Sequence, residues 1–254
     1  MVKVYLLAHT PEPERVVASA AKLCYSRTGV ATLLEGLTPE KSAEFLEMLS
    51  DLGHSSPVEH ASFTFGIEGV SRSFLAQITR HRIASFSVQS QRYVEYDDPS
   101  YVVPPEIAAC PEALAVYEQA LQSCTDAYRR ITELLNRKYA GAEGGEADKA
   151  RQRALRKKSI EDARFILPNA CETKMVVTMN ARELMHFFTL RCCSRAQWEI
   201  RAVANEMLRQ ASAAAPALFC SAGPACVRGA CSEGKMSCGR AAEMREFYKE
   251  LKEH

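Results

Sequence analysis

The sequence predicts an α+β fold, in which short strands are combined with long helices. Three short runs of β-branched, aromatic and apolar residues are typical of strands, and they occupy Val2–Leu7, Phe63–Val70 and Thr173–Met179. Longer stretches repeat apolar residues three and four positions apart, which is the spacing of one helical face. With 254 residues, of which 47% are hydrophobic, the chain can bury one good-sized core or two small ones.

The first helices carry their own start signals. Pro11–Cys24 repeats apolar residues on one side, and Pro39–Leu52 follows Thr38, a good capping residue, and ends at Gly53. Ser71 follows the second predicted strand. We expect it to cap a helix that leads into an arginine-rich segment.

Two histidines, His54 and His60, stand on either side of Pro57. Because the proline interrupts any helix, these histidines cannot share one helical face as a helical pair of zinc ligands does. We therefore expect a loop, whose histidines either hold backbone groups or contact a ligand.

The middle of the chain predicts a long helix with a narrow apolar seam. Over Pro111–Tyr139 the apolar residues alternate three and four apart for three heptads, and such a seam needs a partner helix. The partner can belong to the same subunit or to a neighbouring one, and the pattern leaves both open. Gly141–Gly145 predicts a flexible tip, after which Ala147–Ala163 resumes as a strongly charged helix.

Two further helices follow the third predicted strand. Asn180 is a suitable cap for a helix over Ala181–Arg191, and Ser194–Leu218 predicts a last long helix anchored by Trp198. A polar stripe on the first of these helices consists of Arg182, His186 and Thr189.

One segment concentrates positive charge. From Gly69 to Val94 the sequence contains four arginines, one histidine and no Asp or Glu, in a chain whose net charge is only +1. Arginine meets phosphate oxygens two at a time, and the Ser and Gln residues between Ser85 and Gln91 add neutral donors. A surplus without acidic partners predicts a site for a phosphorylated small molecule, and a solvated basic loop is the alternative.

Four motifs stand in a fixed order along the chain. They are Gly53–His60, the Arg-His-Arg to Gln-Arg-Tyr segment Arg80–Tyr93, Glu161–Pro168, and Asn180–Arg191 with Ala196–Ile200 after it. This set resembles the motifs of the flavin-dependent thymidylate synthases, and the resemblance covers about Val2 to Leu218. It implies that family's fold, a mixed sheet with long flanking helices. It also implies a synthase domain over residues 1–218, followed by a Cys-rich C-terminal extension over 219–254.

The resemblance implies a nucleotide site built from arginines and their neighbours. The residues expected to bind deoxyuridylate (dUMP) are Gln77, Ile78, Thr79, Arg80, Gln89, Ser90, Gln91, Arg92, Arg164 and Arg191. Arg92 and its neighbours would contact the phosphate. Arg191 would be the catalytic residue, because a guanidinium aimed at the N3 and O4 edge of uracil stabilises the negative charge that makes the ring a carbon nucleophile. No cysteine would attack the ring.

The resemblance also implies FAD as the redox cofactor and NADPH as its reductant. The residues expected to bind the flavin are Ser56, Arg80, His81, Arg82, Ile83, Val88, Asn180, Arg182 and His186. Methylenetetrahydrofolate would supply the carbon, and the family works as a homotetramer whose active sites draw residues from neighbouring subunits. Val88 departs from the polar residue frequent at this position, so any role it has must come from its backbone.

The remaining composition sets limits on partners. Four of the ten cysteines, Cys220, Cys226, Cys231 and Cys238, lie within nineteen residues, but their gaps exceed the usual zinc spacing. We expect unligated thiols and no metal, with zinc and a redox role as alternatives. Near-neutral charge and the lack of a long apolar run predict a cytoplasmic protein without nucleic-acid or membrane partners.

Two other functions fit parts of the pattern. A nucleotide- or RNA-binding module could use the arginine-rich segment without catalysis, and it would show salt-sensitive oligonucleotide binding and no bound chromophore. A flavoprotein with the same fold could use a different acceptor, although such a substrate would have no use for both Arg164 and Arg191.

Overall fold

A computed structural model describes residues 2–142 and 149–253 of the chain. The strands are β1 (Lys3–His9), β2 (Ser62–Ser71), β3 (Ala84–Val88) and β4 (Glu172–Asn180). The α-helices are α1 (Pro13–Leu23), α2 (Val30–Glu35), α3 (Pro39–Asp51), α4 (Arg72–Ile78), α5 (Pro105–Ala108), α6 (Pro111–Ala142), α7 (Lys149–Ala163), α8 (Ala181–Arg191), α9 (Trp198–Ala214), α10 (Ala225–Arg228) and α11 (Ala241–Glu253). Short 3₁₀ helices cover Pro57–His60, Arg164–Ile166 and Gly234–Met236. The predicted α+β class is confirmed.

The described residues divide into two compact units. The first unit takes residues 2–68, 76–87 and 175–253, and the second takes 69–75, 88–142 and 149–174. Residues 219–253 therefore belong to the same unit as β1, α8 and α9. The functional division at residue 218 stays a prediction.

The strands form one sheet in the order β1-β2-β4-β3. β1 runs antiparallel to β2, with Leu6 opposite Phe65, and the register shifts between Leu6 and Ala8. Alternate residues of β2, including Phe65 and Ile67, are completely buried, as expected for a strand with one face on the core. β3 lies at the edge of the sheet.

The core of the first unit is built from aromatic residues of β2 and α8 and from the C-terminal extension. Phe188 of α8 packs edge-on against Phe187 and Phe219, with ring centroids 5.8 and 6.0 Å apart, and Phe219 also meets Phe63 at 5.2 Å. All four side chains are completely buried. The extension thus begins with a residue of the main core.

The second unit packs α6 along α7. A cluster of buried residues, with Tyr128 of α6 and Ile160 of α7 at its centre, holds the two helices together. The apolar seam of α6 therefore has a partner helix in its own chain, which is one of the two alternatives that the sequence leaves open. Ser159 Oγ also donates to Asn136 Oδ1 at 2.8 Å across the pair.

Most predicted elements are found within a few residues of their predicted ends. Thr38 Oγ1 accepts from the Lys41 amide at 3.3 Å, and Ser71 Oγ accepts from the Phe74 amide at 3.0 Å, so both predicted caps are confirmed. The predicted tip at Gly141–Gly145 lies outside the described residues from 143 onward.

Two details of the last long helix were predicted wrongly. α9 begins at Trp198, because Gln197 Oε1 accepts from the amides of Glu199 and Ile200, and it ends at Ala214, before Pro216. Trp198, the expected anchor, is the first residue of α9 and is partly buried. Within the described residues, no helix has the length and apolar character that a membrane span requires.

Candidate active site

In the segment Arg80–Ile83, which follows α4, one side chain is buried and three are exposed. The Arg80 amide donates to the Gln77 carbonyl at 3.3 Å, and the His81 amide donates to the Ile78 carbonyl at 3.1 Å, so the chain bends sharply. His81 is buried at 4% exposure, whereas Arg80, Arg82 and Ile83 are exposed. In the described part of the chain, Arg80 and Arg82 have no carboxylate within ion-pair distance.

His81 connects a buried carboxylate to Arg191. Its Nδ1 lies 2.8 Å from Oε1 of Glu183, and Arg191 Nε donates to His81 Nε2 at 3.2 Å. Since an arginine has only donors, Nε2 must present its lone pair, and the ring proton therefore sits on Nδ1 and points at Glu183. The geometry assigns His81 as a neutral imidazole in one tautomer.

Burial supports that protonation state. The pKa of His81 is lowered, first by its burial and also by the nearby charge of Arg191, although the hydrogen bond that His81 donates to Glu183 opposes the shift. A neutral ring can accept from the Arg191 guanidinium, whereas an imidazolium would repel it. The Glu183–His81 pair therefore holds Arg191 in place without neutralising its charge.

Arg191 sits at the end of α8, half-buried and close to a second guanidinium. Its Nη2 donates to the Gln77 carbonyl at 3.4 Å, which is a second fixed contact. Burial and the charge of Arg80 both lower the pKa of Arg191, but a guanidinium remains charged at neutral pH. Among the described residues, neither Arg80 nor Arg191 has a carboxylate within ion-pair distance, so these two cations provide a place for an anionic group.

The exposed face of α8 continues from this pair of cations. Asn180 caps the helix, since its Oδ1 accepts from the Glu183 amide at 2.9 Å, which confirms the predicted cap. The exposed ring of His186 meets His81 edge-on, with centroids 5.8 Å apart. Arg182, one turn earlier, forms an ion pair with Glu59, three residues after the exposed Ser56.

The second unit carries the other predicted nucleotide ligands. The Arg92 guanidinium forms an ion pair with Glu161 at 2.8 Å, and Arg164 Nε donates to the carbonyl of the same glutamate at 3.1 Å. Ser90 Oγ accepts from the Arg92 amide at 3.1 Å, while Gln91 is largely buried. Both arginines of this unit therefore contact Glu161, Arg92 through the carboxylate and Arg164 through the backbone carbonyl.

One expectation about unpaired charge is corrected. The arginine-rich segment was expected to have no acidic partners, but Arg92 is paired with Glu161, which the sequence places almost seventy residues later. Arg182 is likewise paired with Glu59. Both pairs join residues far apart in sequence, so a local count of charges cannot find them.

The remaining predicted ligands occupy varied environments. Ile78 is completely buried, so its side chain belongs to the core and only its backbone can face a ligand. Thr79 is exposed and Gln77 is half-buried. Val88 is the last residue of β3, and the amide of the next residue, Gln89, donates to the Lys174 carbonyl at 3.0 Å.

Two residues that the sequence did not single out shape this site. Glu183 lies on the buried side of α8, together with Leu184 and Phe187. An acidic residue among the apolar residues of this helix is the feature of the sequence that could have identified it. Tyr248 of α11 is also buried, and its hydroxyl donates to the Cys192 carbonyl at 2.5 Å, directly after Arg191. The same hydroxyl lies 2.8 Å from the side-chain amide of Asn205.

The cysteines are free thiols. Burial raises the pKa of Cys171 to about 11 and that of Cys192 still further, so neither is a thiolate at neutral pH. Throughout residues 2–142 and 149–253, no three His, Cys, Asp or Glu side chains are grouped so that they could hold a metal ion.

Comparisons with known proteins agree on one family. Residues 5–217 match the family model described as "Thymidylate synthase complementing protein". The flavin-dependent thymidylate synthase of Clostridium tetani is 54% identical over 247 residues, with 97% of each chain covered. That of Geobacter sulfurreducens is 50% identical, with 98% of this chain and 99% of the relative covered.

A solved structure has the same fold. The UMP/dUMP methylase PolB from Streptomyces cacaoi, bound with 5-Br dUMP, superposes with a TM-score of 0.69 over 88% of this chain and 96% of that protein. The two sequences are 21% identical, so this likeness concerns the fold.

Proposed function

The chain belongs to the flavin-dependent thymidylate synthase family, and we propose that it converts dUMP to dTMP by reductive methylation. In this reaction 5,10-methylenetetrahydrofolate donates the carbon, NADPH is the reductant and FAD is the redox cofactor. The observation that carries the proposal is the fixed position of Arg191, which Glu183 and His81 hold in place, and which has no carboxylate within ion-pair distance among the described residues.

Arg191 is the catalytic residue of this proposal. The uracil ring becomes a carbon nucleophile at C5 when negative charge is favoured on its N3 and O4 edge. A guanidinium already fixed by His81 and Gln77 needs no reorganisation as this charge develops, and such stabilisation is commonly worth about 3 kcal/mol. Half-burial of Arg191 strengthens the effect, because less water screens the charge.

The exposed surface from Arg80 to Ile83 and along α8 suits FAD. Ile83 is 68% exposed and His186 presents its ring, so both can lie against a flat aromatic system. Arg80 and Arg82 offer guanidinium groups to a diphosphate. The bound flavin would supply hydride-transfer chemistry, and the contacts expected to hold it come from Ser56, Arg80, His81, Arg82, Ile83, Val88, Asn180, Arg182 and His186.

The phosphate of dUMP is assigned to Arg92 and its neighbours Gln89, Ser90 and Gln91, together with Arg164. The ion pair between Arg92 and Glu161 does not oppose this role, because both side chains are more than a third exposed and such pairs contribute at most about 1 kcal/mol. A phosphate dianion can therefore compete for the guanidinium.

We further propose a cytoplasmic homotetramer in which neighbouring subunits share each active site. Arg92 and Arg164 would then contact the same nucleotide as Gln77, Arg80 and Arg191. The synthase domain would extend over residues 1–218, with 219–254 as an extension.

Absorbance and turnover of the purified protein test the proposal. We expect a yellow protein with flavin absorbance that oxidises NADPH and forms dTMP only when dUMP and methylenetetrahydrofolate are present. A colourless protein that takes up no flavin, and binds oligonucleotides in a salt-sensitive manner, would instead support a nucleic-acid-binding module.

A further inference from the structure

A pocket in the first unit is lined by none of the residues assigned above to the nucleotide or the flavin. It has a volume of about 360 Å³ and is lined by the end of α9 and by the C-terminal extension. This volume lies within the range of about 300–1,000 Å³ that small-molecule sites occupy. Ser212, Pro216 and Val227 are among its lining residues.

Three cations from one helix line this pocket. Arg245, Lys249 and Lys252 follow one another at i, i+4 and i+7 on α11, so they share one helical face. Glu253 also lines the pocket, but in the described part of the chain none of the three cations has a carboxylate within ion-pair distance. Two nearby arginines behave differently, since Arg209 pairs with Glu206 and Arg240 pairs with Glu243.

Neutral acceptors fix two of these cations in place. Arg245 Nε donates to the Cys226 carbonyl at 2.8 Å and its Nη2 to the Gly229 carbonyl at 2.9 Å. Lys252 Nζ donates to the carbonyls of Cys220 and Ala222. Carbonyl groups position a cation but leave its charge uncompensated, and both side chains keep further N–H donors for a ligand.

Lys252 is the least exposed of the three cations. Burial lowers the pKa of Lys252, which is the effect expected of a cation that lacks its anion. Ser212 of α9 also lines the pocket, but its hydroxyl oxygen is buried and takes no part in the proposed contacts.

We propose that this pocket, lined by Arg245, Lys249 and Lys252, binds a phosphate-bearing small molecule at a site separate from the active site. The cations would contact the phosphate, as Lys and Arg do in other phosphate sites. Pro216 and Val227 would lie against an apolar or ring-shaped body, which favours a nucleoside phosphate.

Calorimetry on the full chain tests the proposal. Inorganic phosphate, pyrophosphate and a deoxynucleoside triphosphate would each be titrated with and without saturating dUMP, so that binding at the active site can be subtracted. We expect one additional site per chain that dUMP does not block. Stronger binding of the nucleotide than of pyrophosphate would identify a nucleoside phosphate, and equal binding would identify the free anion as the ligand.

Substitutions locate that additional site. Lys249→Ala with Lys252→Ala should weaken it by at least about tenfold, because two charge-assisted contacts are lost. The matched control, Lys138→Ala with Lys235→Ala, removes the same charge from exposed positions that do not line the pocket.

The proposal would be overturned by the absence of any additional site with all three probes. Equal affinity in the lysine variant and its control would also overturn it, provided that both keep the wild-type Tm. Because the titration without dUMP does not depend on turnover, failure of the proposed synthase activity would leave this test intact.

Discussion

Replacing Glu183 by Gln tests how Arg191 is held. Glu183 Oε1 lies 2.8 Å from His81 Nδ1, and the two side chains are 9% and 3% exposed, so water contributes little to their contact. Glutamine has almost the same shape, and its amide oxygen can still accept from Nδ1. The substitution therefore removes a charge and leaves the packing intact.

The size of the effect follows from the hydrogen bond. A bond to a charged group contributes about 1.5–3 kcal/mol, and a neutral one contributes about 0.5–1.5 kcal/mol, so the variant loses about 1 kcal/mol at His81. If that energy orients Arg191 in the transition state, kcat should fall about fivefold. The Kd for dUMP should change less, because the phosphate is bound elsewhere.

The pH dependence separates this role from a purely structural one. Burial lowers the pKa of His81, whereas Glu183 raises it. Replacing the Glu183 carboxylate by a neutral amide should therefore lower the pKa of His81 further. The acidic limb of the pH–rate profile should therefore move to lower pH in Glu183→Gln. A structural role alone would lower Tm and leave the profile where it was.

A matched control and a contradicting result are available. Glu206→Gln makes the same chemical change at a carboxylate that pairs with Arg209, outside the proposed site. We expect this control to keep wild-type kcat and the wild-type profile. Unchanged kcat and an unchanged acidic limb in Glu183→Gln would show that the Glu183 charge does not act on Arg191 through His81.

Further predictions concern charge, pH, the extension and the thiols. Arg191→Ala should abolish dTMP formation with flavin still bound, and near-normal turnover would remove its catalytic role. Folding lowers the pKa of His81, so the contribution of His81 to the free energy of unfolding is present above pH about 6.5 and is lost as pH falls through the folded pKa. Between pH 7 and 5, the free energy of unfolding measured in urea should therefore fall more steeply for wild type than for His81→Gln. Tyr248→Phe leaves the buried Cys192 carbonyl without its donor and should lower the free energy of unfolding by about 1–3 kcal/mol, and an unchanged Tm would contradict this. Alkylation at pH 8 followed by mass spectrometry should label the exposed Cys238 and spare Cys171, whose pKa is about 11; rapid labelling of Cys171 in the folded protein would contradict its burial.

The local elements of the fold could be predicted because their signals are local. Asn180 and the periodicity after it fix both ends of α8, and Thr38 with Pro39 fixes the start of α3. β3 was missed, since Ala84–Val88 is short, rich in serine and placed at a sheet edge, where one neighbour is enough.

The chemistry of the site depends on contacts that join distant parts of the chain. Arg191 meets His81 across 110 positions, and Glu183 meets the same ring across 102. Motifs identified Arg191 and His81 separately, but only the folded arrangement gives the tautomer of His81 and the role of Glu183. The extension lacked a family motif, so Tyr248 could not be connected to Cys192 beforehand.

A crystal structure of the protein with FAD and dUMP tests the central claim most directly. We predict that the Arg191 guanidinium lies within about 3 Å of the uracil O4 or N3, and that Arg92 or Arg164, from the same or a neighbouring copy, contacts the phosphate of that nucleotide. A nucleotide bound away from Arg191, or contacted by the arginines of one unit only, would contradict the account.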